Sequence, residues 1–179
     1  MHGLIFSELK KYVVARLGGE AWNKLEAEAG LANKIYLPNQ VYSDEEMVKL
    51  IGAAVRLTGK DGKSIQEDFG EFIAPELLKL YNSQINPTWK ALDLIEKTEE
   101  MVHRVVRLKI PGATPPHLKV TRSSPKKLVM VYNSPRRMCG VAIGLARGVG
   151  KQYKQPLKVV EQTCMNKGDA SCTISIEGS

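Results

Sequence analysis

The chain has 179 residues, 43% of them hydrophobic and 25% charged, an ordinary globular composition that suffices for one compact domain or two tightly joined lobes. Its net charge of +7 is spread over Lys10-Lys11, Lys126-Lys127, Arg136-Arg137 and residues 151–158, with no basic helix, zinc-finger spacing or aromatic-rich strand beside them, so it reads as a solvated basic surface with no nucleic-acid partner. No apolar stretch reaches the length of a membrane span and Met1-His2-Gly3-Leu4-Ile5-Phe6 lacks a signal-peptide pattern, so the expectation is a cytoplasmic protein without a membrane partner.

The first half is helical in pattern. Ile5, Leu9, Tyr12, Val13 and Leu17 give a helix from Leu4 that stops at Gly18-Gly19. A short helix follows from Ala21 to Ala29 and ends at Gly30. Ser43 with Glu46 has the spacing of a capping box and opens a helix to Leu57. Residues 58–63 form a loop, Ser64 with Glu67 repeats the capping signal, and the helix that follows contains Pro75, which predicts a kink or break. Asn86-Pro87-Thr88 opens the longest helix, to Ile110, stopped by Pro111-Gly112.

Beyond that point the texture changes. Pro115-Pro116 leads into an extended segment at residues 117–121, Ser123-Ser124-Pro125 is a turn, and residues 127–132 are a buried strand. Residues 138–153 form an amphipathic helix, and residues 157–163 and 172–176 pair as a hairpin around Asn166-Lys167-Gly168-Asp169. The predicted fold class is α+β: one domain, residues 1–179, with a helical lobe over 1–63 and a lobe over 64–179 built on an antiparallel sheet with helices.

Two features carry chemistry. At the end of the 127–132 strand, side-chain alternation would send Tyr132, Ser134 and Arg136 the same way: a phenol, a hydroxyl and a guanidinium, all donors suited to an anion. On the long helix, Leu92, Ile95, Val102, Val106 and Ile110 form an apolar stripe, and at about 100° per residue His103 falls within about 20° of Leu92 and Ile110. Alone, such an imidazole is more readily a satisfied core histidine than a metal ligand; His2 and His117 read as surface residues. Together the two features suit heme: an apolar chamber, an axial imidazole, and donors for two propionates, arginine's planar fork matching a carboxylate.

Over nearly its whole length the chain resembles the heme nitric oxide/oxygen-binding (H-NOX) domains. The resemblance rests on the Met1–Phe6 start, Phe69-Gly70, Val102-His103 followed by the Pro111–Leu118 segment PGATPPHL, the YNSPR signature at residues 132–136, and Ile143-Gly144-Leu145 on the helix after it. It implies heme b between the lobes, His103 as proximal iron ligand, Tyr132, Ser134 and Arg136 on the propionates, and Pro116 as the proline that distorts the heme. The family's oxygen-binding members have a distal tyrosine where this chain has Val141, and Ile5, Leu9 and Ala74 line the pocket with apolar side chains. Bound oxygen needs a donor far more than nitric oxide or carbon monoxide does, so the expected ligands are nitric oxide and carbon monoxide. The implied role is a sensor, not an enzyme. Nitric oxide loosens the bond between iron and His103, the helical lobe shifts, and a separate histidine kinase, diguanylate cyclase or cyclic-di-GMP phosphodiesterase reads the movement.

The cysteine count is three, an odd number that disfavours a disulfide framework. Cys164 and Cys172 flank the hairpin turn and Cys139 follows the YNSPR signature, an arrangement that suits zinc, which favours thiolate in tetrahedral array. The segment also resembles an H-NOX subgroup whose zinc is held by three cysteines and a histidine, and Glu161 stands where that histidine would be. Two other readings are a heme-independent zinc or thiol redox regulator of the same fold, and three thiols packed as small hydrophobes.

Overall fold

The structure, a computed structural model, describes residues 1–178. The chain falls into two compact units, one of residues 1–65 with 112–114, the other of residues 66–111 with 115–179.

The first unit contains α1 (Gly3–Leu17), α2 (Ala21–Glu28) and α3 (Asp44–Thr58). α3 begins as its capping box requires: Ser43 Oγ accepts the Glu45 N–H at 3.2 Å, and Glu46 reaches back to the Ser43 backbone. Phe6, Leu9, Trp22, Met47, Leu50 and Ala53 form the core, with the Phe6 ring stacked on Tyr36 at 4.3 Å. Gly3 has to be glycine, because a Cβ there would lie 2.0 Å from the Leu37 carbonyl oxygen.

α4 (Gly62–Leu80) starts two residues before the expected cap, because Asp61 takes that role: its Oδ2 accepts the Ser64 N–H at 3.0 Å. The helix also continues through Pro75 without a break. Pro75 cannot donate to the Glu71 carbonyl, and that carbonyl instead faces Gly148 of α7 (Cys139–Gln152), where an added Cβ would approach it to 2.9 Å. The two helices touch backbone to backbone along this line. A Cβ on Gly144 would lie 2.0 Å from the Glu67 carbonyl oxygen, and one on Gly70 2.3 Å from that of Val141. Two ion pairs flank the crossing, Arg147 with Glu67 at 2.6 Å and Lys151 with Glu71.

The long helix begins at Ala91, not Asn86. Asn86 folds its side chain onto the Thr88 N–H at 2.9 Å, an Asx turn that delays the helix, and Asp93 accepts the Lys90 N–H at 2.9 Å. α5 (Ala91–Thr98) then passes into a π-helical segment, Glu99–His103, and on into α6 (Arg104–Lys109). The sheet is antiparallel, in the order β1 (His117–Ser124), β2 (Lys127–Asn133), β4 (Cys172–Gly178), β3 (Leu157–Thr163). Leu128, Met130 and Tyr132 of β2 and Cys172, Ile174 and Ile176 of β4 face one core, with Leu92 and Ile95 of α5 and Cys139, Ile143 and Ala146 of α7. The architecture is α+β. No helix among the described residues is long and apolar enough to cross a membrane.

Candidate functional site

His103 is the last residue of the π-helical segment, where the Arg104 N–H bonds the Glu99 carbonyl five residues back. Such one-turn π segments concentrate at functional sites because the extra residue re-aims the side chains around it. The ring is largely buried, its side chain 16% exposed, and Nδ1 lies 3.1 Å from Oε2 of Glu99. Burial lowers the imidazole's pKa, Glu99 and the Pro116 backbone pull it back, and the net shift is downward. At neutral pH the ring is therefore uncharged, the form that offers a lone pair to a metal. Half-buried Val102, Val106 and Leu118 surround this part of the unit, and Pro116 stands just before β1.

Glu99 was not singled out from the sequence, yet three donors meet on its carboxylate. They are His103, Arg107 and the Leu118 N–H at 3.1 Å. Burial disfavours its charged form, but the Leu118 amide, Arg107 and His103 together outweigh that and hold the carboxyl below its ordinary range. The available signal was the spacing Glu99-x-x-x-His103-x-x-x-Arg107, which sets all three on one face of a helix.

Tyr132, Ser134 and Arg136 do come together, though not by strand alternation. β2 ends at Asn133, and a turn follows in which the Ser134 carbonyl accepts the Arg137 N–H at 3.0 Å, with Arg137 at φ 52°. Within it Ser134 Oγ accepts the Arg136 N–H at 3.3 Å. Tyr132 and Ser134 are only 3% and 2% exposed, and their hydroxyls share a hydrogen bond. Burial raises the Tyr132 pKa, so the phenol keeps its proton and with it a donor.

Val141 and Ala74 lie on the α7 and α4 helices that cross at the glycines, Ala74 against Gly148. Ala74 is buried and Val141 half-buried. In the other unit, α1 carries buried Leu9 and half-buried Ile5.

The three cysteines and Glu161 form one cluster. One ligand atom from each of Cys139, Glu161, Cys164 and Cys172 lies within 4.8 Å of all the others, and the Cys139 and Cys164 sulfurs are 3.7 Å apart. The fold reaches this through a bulge. Val159 and Glu161 share the core-facing side of β3, and simple alternation would turn Cys164 away from them. The register shift between Glu161 and Thr163 adds one residue and brings Cys164 back. Burial, then Cys172 and Glu161, push the Cys139 thiol far up; burial likewise raises Cys172, against the pull of the Met165 N–H on its sulfur at 3.2 Å.

Comparison with known proteins agrees with this architecture. An H-NOX protein from S. oneidensis, solved in an Fe(II)NO ligation state, superposes with a TM-score of 0.92 at 23% identity, covering 100% of this chain and 99% of that one. The H-NOX protein from K. algicida, Fe(II) unliganded, gives 0.87 at 18% identity, covering 100% and 97%. The I5F mutant of T. tengcongensis H-NOX gives 0.87 at 20% identity, covering 100% and 98%. No curated protein matches the sequence. The sequence matches the family described as Haem-NO-binding over residues 2–161, and the chain belongs to that family of heme-based gas sensors.

Proposed function

We propose that this protein is a nitric oxide sensor whose heme b is held by His103. The observation that carries this reading is the neutral, largely buried imidazole at the end of a π-helical segment, with the Glu99 carboxylate held against its Nδ1. The rest of the donor set fits the same group. Tyr132, Ser134 and Arg136 gather buried hydroxyls and one permanent positive charge at a turn, which suits propionates. Half-buried Val102, Val106 and Leu118 supply apolar surface for a porphyrin, and Pro116 is the residue to press on it. Heme supplies the iron on which nitric oxide or carbon monoxide binds. The protein's part is to hold that iron by one histidine and to convert release of His103 into movement of the helix that carries it. In this reading residues 64–179 are the proximal lobe and residues 1–63 the distal lobe, which a separate histidine kinase, diguanylate cyclase or phosphodiesterase reads.

Selectivity follows from side chains that offer no hydrogen. Val141 and Ala74 of one unit, and Leu9 and Ile5 of the other, carry no donor, and a donor beside a bound ligand away from water is worth on the order of 1–2 kcal/mol, about tenfold in affinity or more. The ferrous, heme-loaded protein is therefore expected to give distinct absorption spectra with nitric oxide and with carbon monoxide, and none with oxygen in air-saturated buffer. A long-lived oxygen spectrum would overturn the distal assignment, and Val141→Tyr is the substitution expected to create one.

The propionate assignment predicts unequal losses. Arg136→Ala removes a charge opposite a carboxylate and is expected to speed heme transfer to an apo-globin acceptor by roughly tenfold. Ser134→Ala removes a neutral hydrogen bond worth about 1 kcal/mol and should do less. Identical transfer rates for both variants and the parent protein would count against these donors.

We also propose that Cys139, Cys164, Cys172 and Glu161 hold zinc. Burial, Cys172 and Glu161 all disfavour ionising the Cys139 thiol, and a divalent cation held among the four groups would reverse that cost. The separation of 3.7 Å between the Cys139 and Cys164 sulfurs is close to the roughly 3.8 Å that two thiolates take on a tetrahedral zinc with bonds of about 2.3 Å.

A further inference from the structure

An imidazole that binds a metal through one nitrogen is tuned by what holds the other. For His103 the partner of Nδ1 is a carboxylate, with the Pro116 backbone also acting on the ring. The Nδ1 to Oε2 distance is 3.1 Å, and Glu99 is itself fixed from two further directions, by the Leu118 N–H of β1 at 3.1 Å and by Arg107 one helical turn beyond the histidine. A carboxylate so fixed has little freedom to turn away. The π-helical segment matters here because Glu99 and His103 are its first and last residues, so one local feature of the backbone places both ends of the hydrogen bond.

We propose that Glu99 is a positioning residue that sets the strength of the bond between His103 and iron, and that Arg107 moderates it. The inference rests on the reading of His103 as the iron ligand. By accepting the Nδ1 proton, Glu99 fixes the tautomer in which Nε2 is the free base, fixes the plane of the ring, and adds electron density to it. Arg107 draws on the same carboxylate and takes part of that density back. The pair therefore pulls in opposite directions on one bond, and it is this bond that must break for nitric oxide to be signalled. Glu99 raises the barrier to release, so the sensor ignores transient ligation, while Arg107 keeps that barrier from becoming prohibitive.

The opposition supplies the test, since a role confined to bracing the helix would move both variants alike. Resonance Raman spectroscopy of the ferrous, unliganded protein reads the iron–histidine stretch directly. Glu99→Gln retains the shape and an accepting oxygen but not the charge, and is expected to move the stretch to lower frequency. Glu99→Leu should move it further and raise the rate of heme loss about tenfold, within the range seen when such supporting partners are removed. Arg107→Met, which leaves the carboxylate uncompensated, is expected to move the stretch to higher frequency. Opposite shifts for Glu99→Gln and Arg107→Met support the proposal; shifts of the same sign, or none in either variant, overturn it. Should Glu99→Leu fail to fold, the Gln and Met variants still decide. Failure of the underlying reading is separate, because it would show in His103→Gly as an unchanged ferrous spectrum.

Discussion

Replacing His103 with glycine is expected to strip the heme from the purified protein, and added imidazole is expected to restore it. Among the described residues His103 is the one largely buried imidazole whose ring is oriented by a carboxylate, and the glycine variant removes the ring whose place free imidazole can take. A coordinate bond worth as little as about 3 kcal/mol would change heme retention by about a hundredfold, so the effect should far exceed that of losing any one propionate donor. Glycine in a helix carries its own cost of about 1 kcal/mol, which would lower the melting temperature by a few degrees. That cost does not depend on imidazole. Heme transfer to apo-globin, measured with and without imidazole, separates the two contributions. An unchanged ferrous spectrum with no response to imidazole would show that His103 is not the ligand.

How far the sequence alone led toward this site depends on which interactions are local. The cap of α3, its end within a residue of Leu57, the stop at Gly18, and the alternation in β2 and β4 are each decided within a few residues, and these elements appear where the pattern puts them. The stripe on the long helix led to His103 by the same local pattern, although the π-helical segment shifts its phase and leaves Val102, His103, Val106 and Ile110 half-buried. What was not legible depends on chain segments distant in sequence. Pro75 does not break α4, which packs backbone to backbone on α7, with Gly148 facing the Glu71 carbonyl that the proline leaves without its usual donor. The carboxylate beside His103 is fixed by an amide of β1, nineteen residues on from Glu99. The approach of Tyr132, Ser134 and Arg136 follows from a turn with a positive φ at Arg137, not from a continued strand. The cysteines were visible as a set, but the bulge that brings Cys164 to the same side as Glu161 has no signature in the residues of β3.

Removing the proposed zinc is expected to cost this protein more stability than any single side chain named here. The alternative is three buried thiols packed as small hydrophobes, and the core supports it in part, since Cys139, Cys164 and Cys172 are all at most 2% exposed and belong to the apolar cluster beneath the sheet. Packing alone does not account for Glu161. A half-buried carboxylate brought to the side of β3 that faces three sulfurs completes the set of four donors that a tetrahedral zinc takes. Zinc at about a thousand times its dissociation constant would contribute about 4 kcal/mol, which for a chain of this size corresponds to a fall of roughly 10 °C in Tm when a chelator removes it. The cluster also adjoins the donor turn: Cys172 pairs with Tyr132 across β4 and β2, and Cys139 opens α7 just beyond Arg136. Loss of the metal should therefore loosen heme retention as well as the sheet. Metal analysis of fully reduced protein purified without added zinc is expected to find about one zinc per chain, lost in Cys164→Ser and reduced in Glu161→Ala. Glu161→His should keep it, since imidazole is as good a zinc ligand as carboxylate. Less than about a tenth of a zinc per chain, together with a Tm that a chelator does not move, would leave the thiols as packing.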